Sequence, residues 1–217
     1  MFSYIDIKKR IKLPCSVNKE VAELVGIIVG DGYLHKSYNK IRIDGNASEE
    51  KQYHIERIHP LIKDLFSYFG KIEFYRGKNA CFTEIRSKAI FDFFTNTIGL
   101  KRGRKDHIEL PKTVLSDVDN LKASLRGLFD TDGDLKFYPK TKSVPYYPQL
   151  RFTTSSKKLK DQVVESLMKV GFTSYVYINR DCNYEVYLCG KEKLEKWMAV
   201  IGSNNPRTYT KYNIWKK

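Results

Sequence analysis

The chain has little of what would tie it to a disulfide-knit, zinc-stapled or membrane-spanning class. Its 217 residues include only four cysteines, Cys15, Cys81, Cys182 and Cys189. None forms a C-x-x-C pair, and none stands at ligand spacing from the histidines, so a zinc site or disulfide framework is not expected and the thiols are read as free. No segment approaches the roughly 18 uninterrupted apolar residues of a membrane span. The N-terminus, Met1 to Arg10, lacks the apolar run and small-residue cleavage site of a signal peptide. An intracellular protein with no membrane partner is expected, in cytoplasm or nucleoid, with an organelle left open. A phosphate-binding loop is missing too, because no Gly-Lys-Ser/Thr follows the glycines at 26, 30 and 32. Acidic residues are in deficit: 25 Asp and Glu stand against 39 Lys and Arg, a net charge of +14. Such an excess favours a polyanionic partner through phosphate neutralisation and counterion release.

What is present is a repeat. Glu23-Leu24-Val25-Gly26-Ile27-Ile28-Val29-Gly30-Asp31-Gly32-Tyr33-Leu34 aligns with Ser124-Leu125-Arg126-Gly127-Leu128-Phe129-Asp130-Thr131-Asp132-Gly133-Asp134-Leu135 at an offset of 101 residues. Leu, Gly, an apolar pair, Asp-Gly and Leu coincide in register. Val21, Leu24, Val25 and Ile28 form a helical stripe capped by Asn18 or Ser16 and stopped near Gly30-Asp31-Gly32. The first half continues with strands at 33–36 and 40–44, a helix over 48–69, a hairpin of 71–76 with 80–86, and a helix over 87–97. The second half repeats the order with a helix at 119–131, strands at 135–138 and 147–154, a helix at 156–170, strands at 174–179 and 184–188, and a helix at 191–201. The expected fold class is α+β, two pseudo-symmetric αββαββα halves each making an antiparallel sheet backed by helices. Residues 1–18 are read as an extension, 19–100 as the first repeat, 101–116 as a basic linker and 117–217 as the second repeat.

The two segments resemble the paired signature helices of the LAGLIDADG homing endonucleases, in the single-chain form with two motifs. Physically, Gly26 and Gly30 share one helical face, with Gly127 and Thr131 at the matching positions, so two such helices can approach closely. A glycine inside a helix costs about 1 kcal/mol relative to Ala and calls for such a packing reason. Paired in parallel, the helices would bring Asp31 and Asp132 together at their C-terminal ends, where like charge and helix dipoles disfavour them unless a cation is present. The resemblance implies a site-specific double-strand DNA endonuclease that is metal-dependent and monomeric. Asp31 and Asp132 would be both catalytic and metal-binding, with the carbonyls of Gly30 and Thr131 as further ligands. Mg²⁺ is the expected cofactor, since it takes hard oxygens from one or two carboxylates plus water and phosphate. Mn²⁺ is expected to substitute, and Ca²⁺ to bind without supporting cleavage. A start at Met1 with short flanks suggests an intron-encoded module rather than an intein.

The resemblance also implies a basic residue after the last helix of each half: Arg104 or Lys105 in the first, Arg207 or Lys211 in the second. The sheets would form a saddle on double-stranded DNA, with one strand face in the major groove. Alternation nominates Arg42, Asp44, Glu84 and Arg86 in the first half, and Lys136, Gln149, Arg151, Thr153, Tyr175, Tyr177, Asn179, Glu185 and Tyr187 in the second. Asp130 has Val29 as its counterpart, so it is no symmetric catalytic element and is read as a contact to solvent or phosphate. Asp134, matched by Tyr33, is read as a partner for a base or a nearby lysine. His54 and His59, five apart in a helical stretch, fall on different α-helical faces and are read as surface residues without a metal. The alternatives are an RNA-binding intron maturase, which adds intron RNA as a partner, and a non-cleaving DNA-binding regulator.

Overall fold

The computed structural model describes residues 2–103, 108–142 and 146–216. A short N-terminal helix α1 (Tyr4–Lys8) precedes α2 (Lys19–Gly30), which opens where Val21 donates its backbone N–H to Asn18 Oδ1 at 2.9 Å. β1 (Gly32–Leu34) then folds back over the last turn of α2, so tightly that a methyl group at Gly32 would lie 2.4 Å from the Ile28 carbonyl oxygen. β2 (Lys40–Asn46) follows, then a helical run of α3 (Lys51–Tyr53), a π-helical turn (His54–Ile58) and α4 (His59–Phe66). β3 (Ile72–Phe74), β4 (Ala80–Arg86), α5 (Lys88–Asp92) and a second π-helical turn (Phe93–Ile98) complete the first half.

After α6 (Lys112–Leu115), the second half runs α7 (Val118–Asp132), β5 (Gly133–Tyr138), β6 (Tyr147–Thr154), α8 (Lys157–Lys169), β7 (Tyr175–Ile178), β8 (Tyr184–Cys189), α9 (Lys191–Val200) and α10 (Pro206–Lys216). The start of α7 is capped by Asp117, and its end repeats the tight turn, with a methyl at Gly133 falling 2.3 Å from the Phe129 carbonyl oxygen. Each half holds a four-stranded antiparallel sheet, ordered β1-β2-β4-β3 and β5-β6-β8-β7. The two-residue periodicity puts Ile41, Ile43, Cys81, Thr83 and Ile85 of the first sheet, and Leu135, Leu150, Phe152, Val186 and Leu188 of the second, against the helices. The opposite faces stay partly exposed.

Two expectations are corrected here. The stretch 48–69 is not one α-helix, because it contains a π-turn and ends at Phe66 with Ser67 in the left-handed conformation (φ 52°). In that π-turn His54 and His59 share a face, and their ring nitrogens meet the Thr83 hydroxyl at 2.7 and 2.8 Å. His54 is buried (1% exposed) rather than superficial, and burial, with the nearby His59, lowers its pKa to about 4. The basic segment after α9, to which the sequence patterns assign no element, is helical. It forms α10, docked through Trp215 Nε1, which donates to the Tyr146 carbonyl at 3.0 Å, and through the Phe137–Trp215 ring pair at 6.1 Å. Among the described residues no helix is long and apolar enough to cross a membrane.

Candidate catalytic centre and nucleic-acid interface

The two halves meet along α2 and α7, which lie side by side in parallel. A methyl group built on Gly26 would sit 2.1 Å from the Ser124 carbonyl oxygen, and one on Gly127 would sit 2.1 Å from the Glu23 carbonyl oxygen. Exchanging the halves maps one contact onto the other, so the helix pair has a local two-fold relation. Only glycine permits this approach, because backbone packs on backbone. One turn further on the relation breaks in detail. The missing side chain of Gly30 is replaced by that of Thr131, whose Oγ1 lies 1.9 Å from where a methyl would be and bonds back to Gly127 and Leu128 carbonyls at 3.0 Å each.

Asp31 follows Gly30 and Asp132 follows Thr131, so both acids sit at the same end of the pair, each partly exposed. Among the described residues no three His, Cys, Asp or Glu side chains converge on a common point. The motif positions place two carboxylates and the backbone carbonyls of the last helical turns at this end. This all-oxygen set suits a hard divalent cation that keeps most of its shell for water and phosphate.

One flank of the helix pair holds a buried polar cluster that motif reading did not assemble. Glu23 is fully buried and accepts two bonds from Arg57 at 2.6 Å, two from Arg126 at 2.6 and 3.2 Å, and one from Asn204 Nδ2 at 2.7 Å. Burial disfavours its charge, but the Arg57 bonds and the two guanidinium charges outweigh that and hold its pKa below the usual range. Asp130 lies beside it, 1% exposed, which corrects its expected place at solvent or phosphate. Its carboxylate accepts from the Ser203 hydroxyl and, at 2.7 Å, from the Asn204 N–H. Burial raises its pKa to about 7 against these bonds. The signal that could have exposed the cluster was Glu23 itself, a lone charge inside an otherwise apolar helical face.

The nominated strand residues share the helix-free faces. Cross-strand register aligns Tyr33, Arg42 and Glu84 in the first sheet, and Asp134, Arg151, Tyr187 and Tyr175 in the second. Lys136 stands opposite Gln149, while Thr153, Glu185 and Tyr177 form another row. Acidic residues on these faces hold the cations: Lys40 and Arg86 pair with Glu84, Arg42 with Asp44, and Lys136, Arg151 and Lys211 with Asp134. Asn179 falls beyond β7, where its side chain accepts from the backbone of Asp181 and Asn183 and so closes a turn. Arg104 and Lys105 lie outside the described residues. Arg207 reaches Glu49 at 2.7 Å and Glu50 at 3.7 Å across the halves, whereas Lys211 donates to the Leu135 carbonyl at 3.2 Å, three residues from Asp132.

Residues 119–202 match the model of a LAGLIDADG-like domain. The replication factor C small subunit of Methanocaldococcus jannaschii is 25% identical over 200 residues, 89% of this chain and 10% of that protein. The chain spans only 9 to 19% of the length of four such relatives, so a segment is shared rather than a whole protein. Among solved structures, the homing endonuclease I-DmoI in complex with DNA and Ca superposes with a TM-score of 0.60 at 18% identity, over 90% of this chain and 97% of that one. I-DmoI has also been solved with DNA and Mn. Full-length DUF199/WhiA from Thermatoga maritima gives a TM-score of 0.60 at 18% identity, over 100% of this chain and 66% of that one. Residues 119–202 thus match a LAGLIDADG-like domain, and the chain shares the two-sheet fold of the homing endonuclease I-DmoI.

Proposed function

We propose that the chain is a monomeric, site-specific DNA endonuclease that makes double-strand breaks by metal-dependent phosphodiester hydrolysis, with 19–100 and 117–217 as its two repeats and 101–116 as the linker. The observation that carries this reading is the convergence of Gly30-Asp31 and Thr131-Asp132 at one end of a helix pair locked by backbone-on-backbone contact. Both motif acids are present, one from each half, as a cut in each strand of a duplex requires. The structural match to an endonuclease solved on DNA with Ca and with Mn supports the choice of partner and cofactor. Mg²⁺ held between the acids would lower the pKa of a bound water and offset charge on the scissile phosphate. Asp31 and Asp132 would hold that cation together with the carbonyls of Gly30 and Thr131, and Lys105 with Arg207 or Lys211 would stabilise the phosphate. The match to DUF199/WhiA favours a second reading, a non-cleaving DNA-binding regulator, because the fold by itself does not specify chemistry.

The test is selection of duplexes from a randomised library, followed by incubation of the selected site with Mg²⁺ or Mn²⁺. Double-strand cleavage is expected, and Asp31→Asn or Asp132→Asn should each lower it by at least about 10³-fold, near 4 kcal/mol of barrier, while binding persists. A selected site that stays intact with both metals replaces the endonuclease by the regulator.

A further inference from the structure

The open face of the second sheet carries a cation held between two carboxylates of the protein itself. Arg151, in the middle of β6, has its Nη2 3.3 Å from Asp134 Oδ2 and its Nη1 3.3 Å from Glu185 Oε1, with its side chain 25% exposed. Both anchors are themselves fixed. Asp134 also holds Lys136 at 3.0 Å, and Glu185, only 7% exposed, accepts from Asn179 Nδ2 at 3.1 Å and from the Tyr187 hydroxyl. Burial opposes the charge on both acids, but the Lys136 bond on Asp134 and the Tyr187 and Asn179 bonds on Glu185 hold both pKa values below the usual range.

A guanidinium flanked by two carboxylates gains less from phosphate than a free one, because its field is partly offset before DNA arrives, even with Asp134 shared by Lys136 and Lys211. It keeps what a phosphate contact does not need, a planar fork of five N–H donors in a set orientation. Each Nη has a second hydrogen beyond the one directed at its carboxylate. The neutral target that matches such an edge is a pair of coplanar acceptors, and in the major groove only guanine presents O6 and N7 together. Arg42, at the register-equivalent place in the first sheet, differs: Asp44 holds it at Nε, 3.2 Å away, and it lies over the rings of Tyr75 and Phe82.

We propose that Arg151 is a specificity-determining residue that reads one guanine in the major groove beneath the second sheet, and that Asp134 and Glu185 are positioning residues that reserve it for base rather than backbone. This rests on the DNA-binding part of the proposed function and not on cleavage. It is tested by sequencing duplexes selected from a randomised library in Ca²⁺ buffer, with thermal melts to show that each variant is folded. The parent should show one guanine that Arg151→Gln releases, with discrimination at that base pair falling about tenfold or more and preference moving toward adenine. Glu185→Gln, or Asp134→Asn if the first does not fold, should bind all duplexes more tightly at low salt. It should steepen the log–log salt slope by about 0.9 and weaken the guanine preference. If Arg151→Gln weakens every sequence alike and lowers the salt slope by about 0.9, Arg151 is a phosphate contact and the inference is overturned. A parent that selects a site but never cuts it overturns only the endonuclease reading, whereas a parent that selects no duplex overturns both.

Discussion

The two flanks of the central helix pair obey the same backbone rule and opposite side-chain rules. Gly26 and Gly127 face equivalent backbone obstacles, with the facing carbonyl oxygen at 2.1 Å in each case. Around them, Val25 and Val29 of α2 are buried apolar residues, while their counterparts Arg126 and Asp130 of α7 belong to a polar cluster with Glu23, whose own counterpart is Ser124. The sheets show the same contrast: Thr83, bonded by two histidines, occupies the register position that Val186 fills in the second half. Close approach of two helices leaves no freedom at the glycines, because a carbonyl cannot move aside. The surrounding shell is free to differ, since either apolar packing or a fully satisfied polar network will fill it.

The largest effects should come from the symmetric part. Gly26→Leu and Gly127→Leu should each destabilise the fold by about 3 kcal/mol or more, within error of one another, in urea denaturation. Unequal losses would show that the helix pair is not held alike from both sides. Next comes the polar flank. Glu23→Gln leaves two partly buried arginines without their carboxylate and should cost about 2–3 kcal/mol after allowance for their exposure. Ser124→Ala, which removes only a bond to the Leu121 carbonyl of its own helix, should cost less than about 1 kcal/mol.

Asp130 gives a pH signature that Val29 cannot. Its folded pKa is raised from 3.8 to about 7, so the stability contributed by the protonated carboxyl is fully present below 3.8 and is lost as pH rises toward 7. Asp130→Asn mimics the protonated form, and above pH 7 it should melt higher than the parent, with the gap closing toward pH 4. Glu23 works in the other direction: its pKa is lowered, so its contribution is present above 4.5 and fades as pH falls through its folded value. A gap between Asp130→Asn and parent that does not vary with pH would mean that Asp130 is ionised in the fold. The smallest effect compares the sheets. Thr83→Val strands two histidines and Val186→Thr buries an unpaired hydroxyl, and each should cost about 1–3 kcal/mol by thermal melts.

Most of the architecture was legible because it follows from periodicity. The Asp-Gly stops of α2 and α7, the bounds of β4 and β6, and the residues on the open faces all came from patterns within a few positions of each other. What was missed depends on distance or on insertion. Glu23 meets Arg57 34 residues away and Arg126 103 residues away, which no local pattern records. His54 and His59 misled because a spacing of five separates faces in an α-helix but joins them in the π-turn that occurs here. The helix over 206–216 was not read from the sequence because it has no strong apolar stripe and is held instead by single contacts such as Trp215 with Tyr146.

The unequal flanks also bear on where such a chain can go in evolution. A second half paired with its own copy would put Arg126 and Asp130 on both sides and no glutamate between the arginines. A first half paired with its own copy would put Glu23 on both sides facing valine. In the first pairing Arg126 would lose its carboxylate, and in the second Glu23 would keep Arg57 but lose Arg126 and Asn204, so each half now supplies buried bonds that the other half lacks. A symmetric dimer of either half would keep the glycine contacts but lose these cross-half bonds, so what separates the two repeats is a handful of side chains rather than the fold.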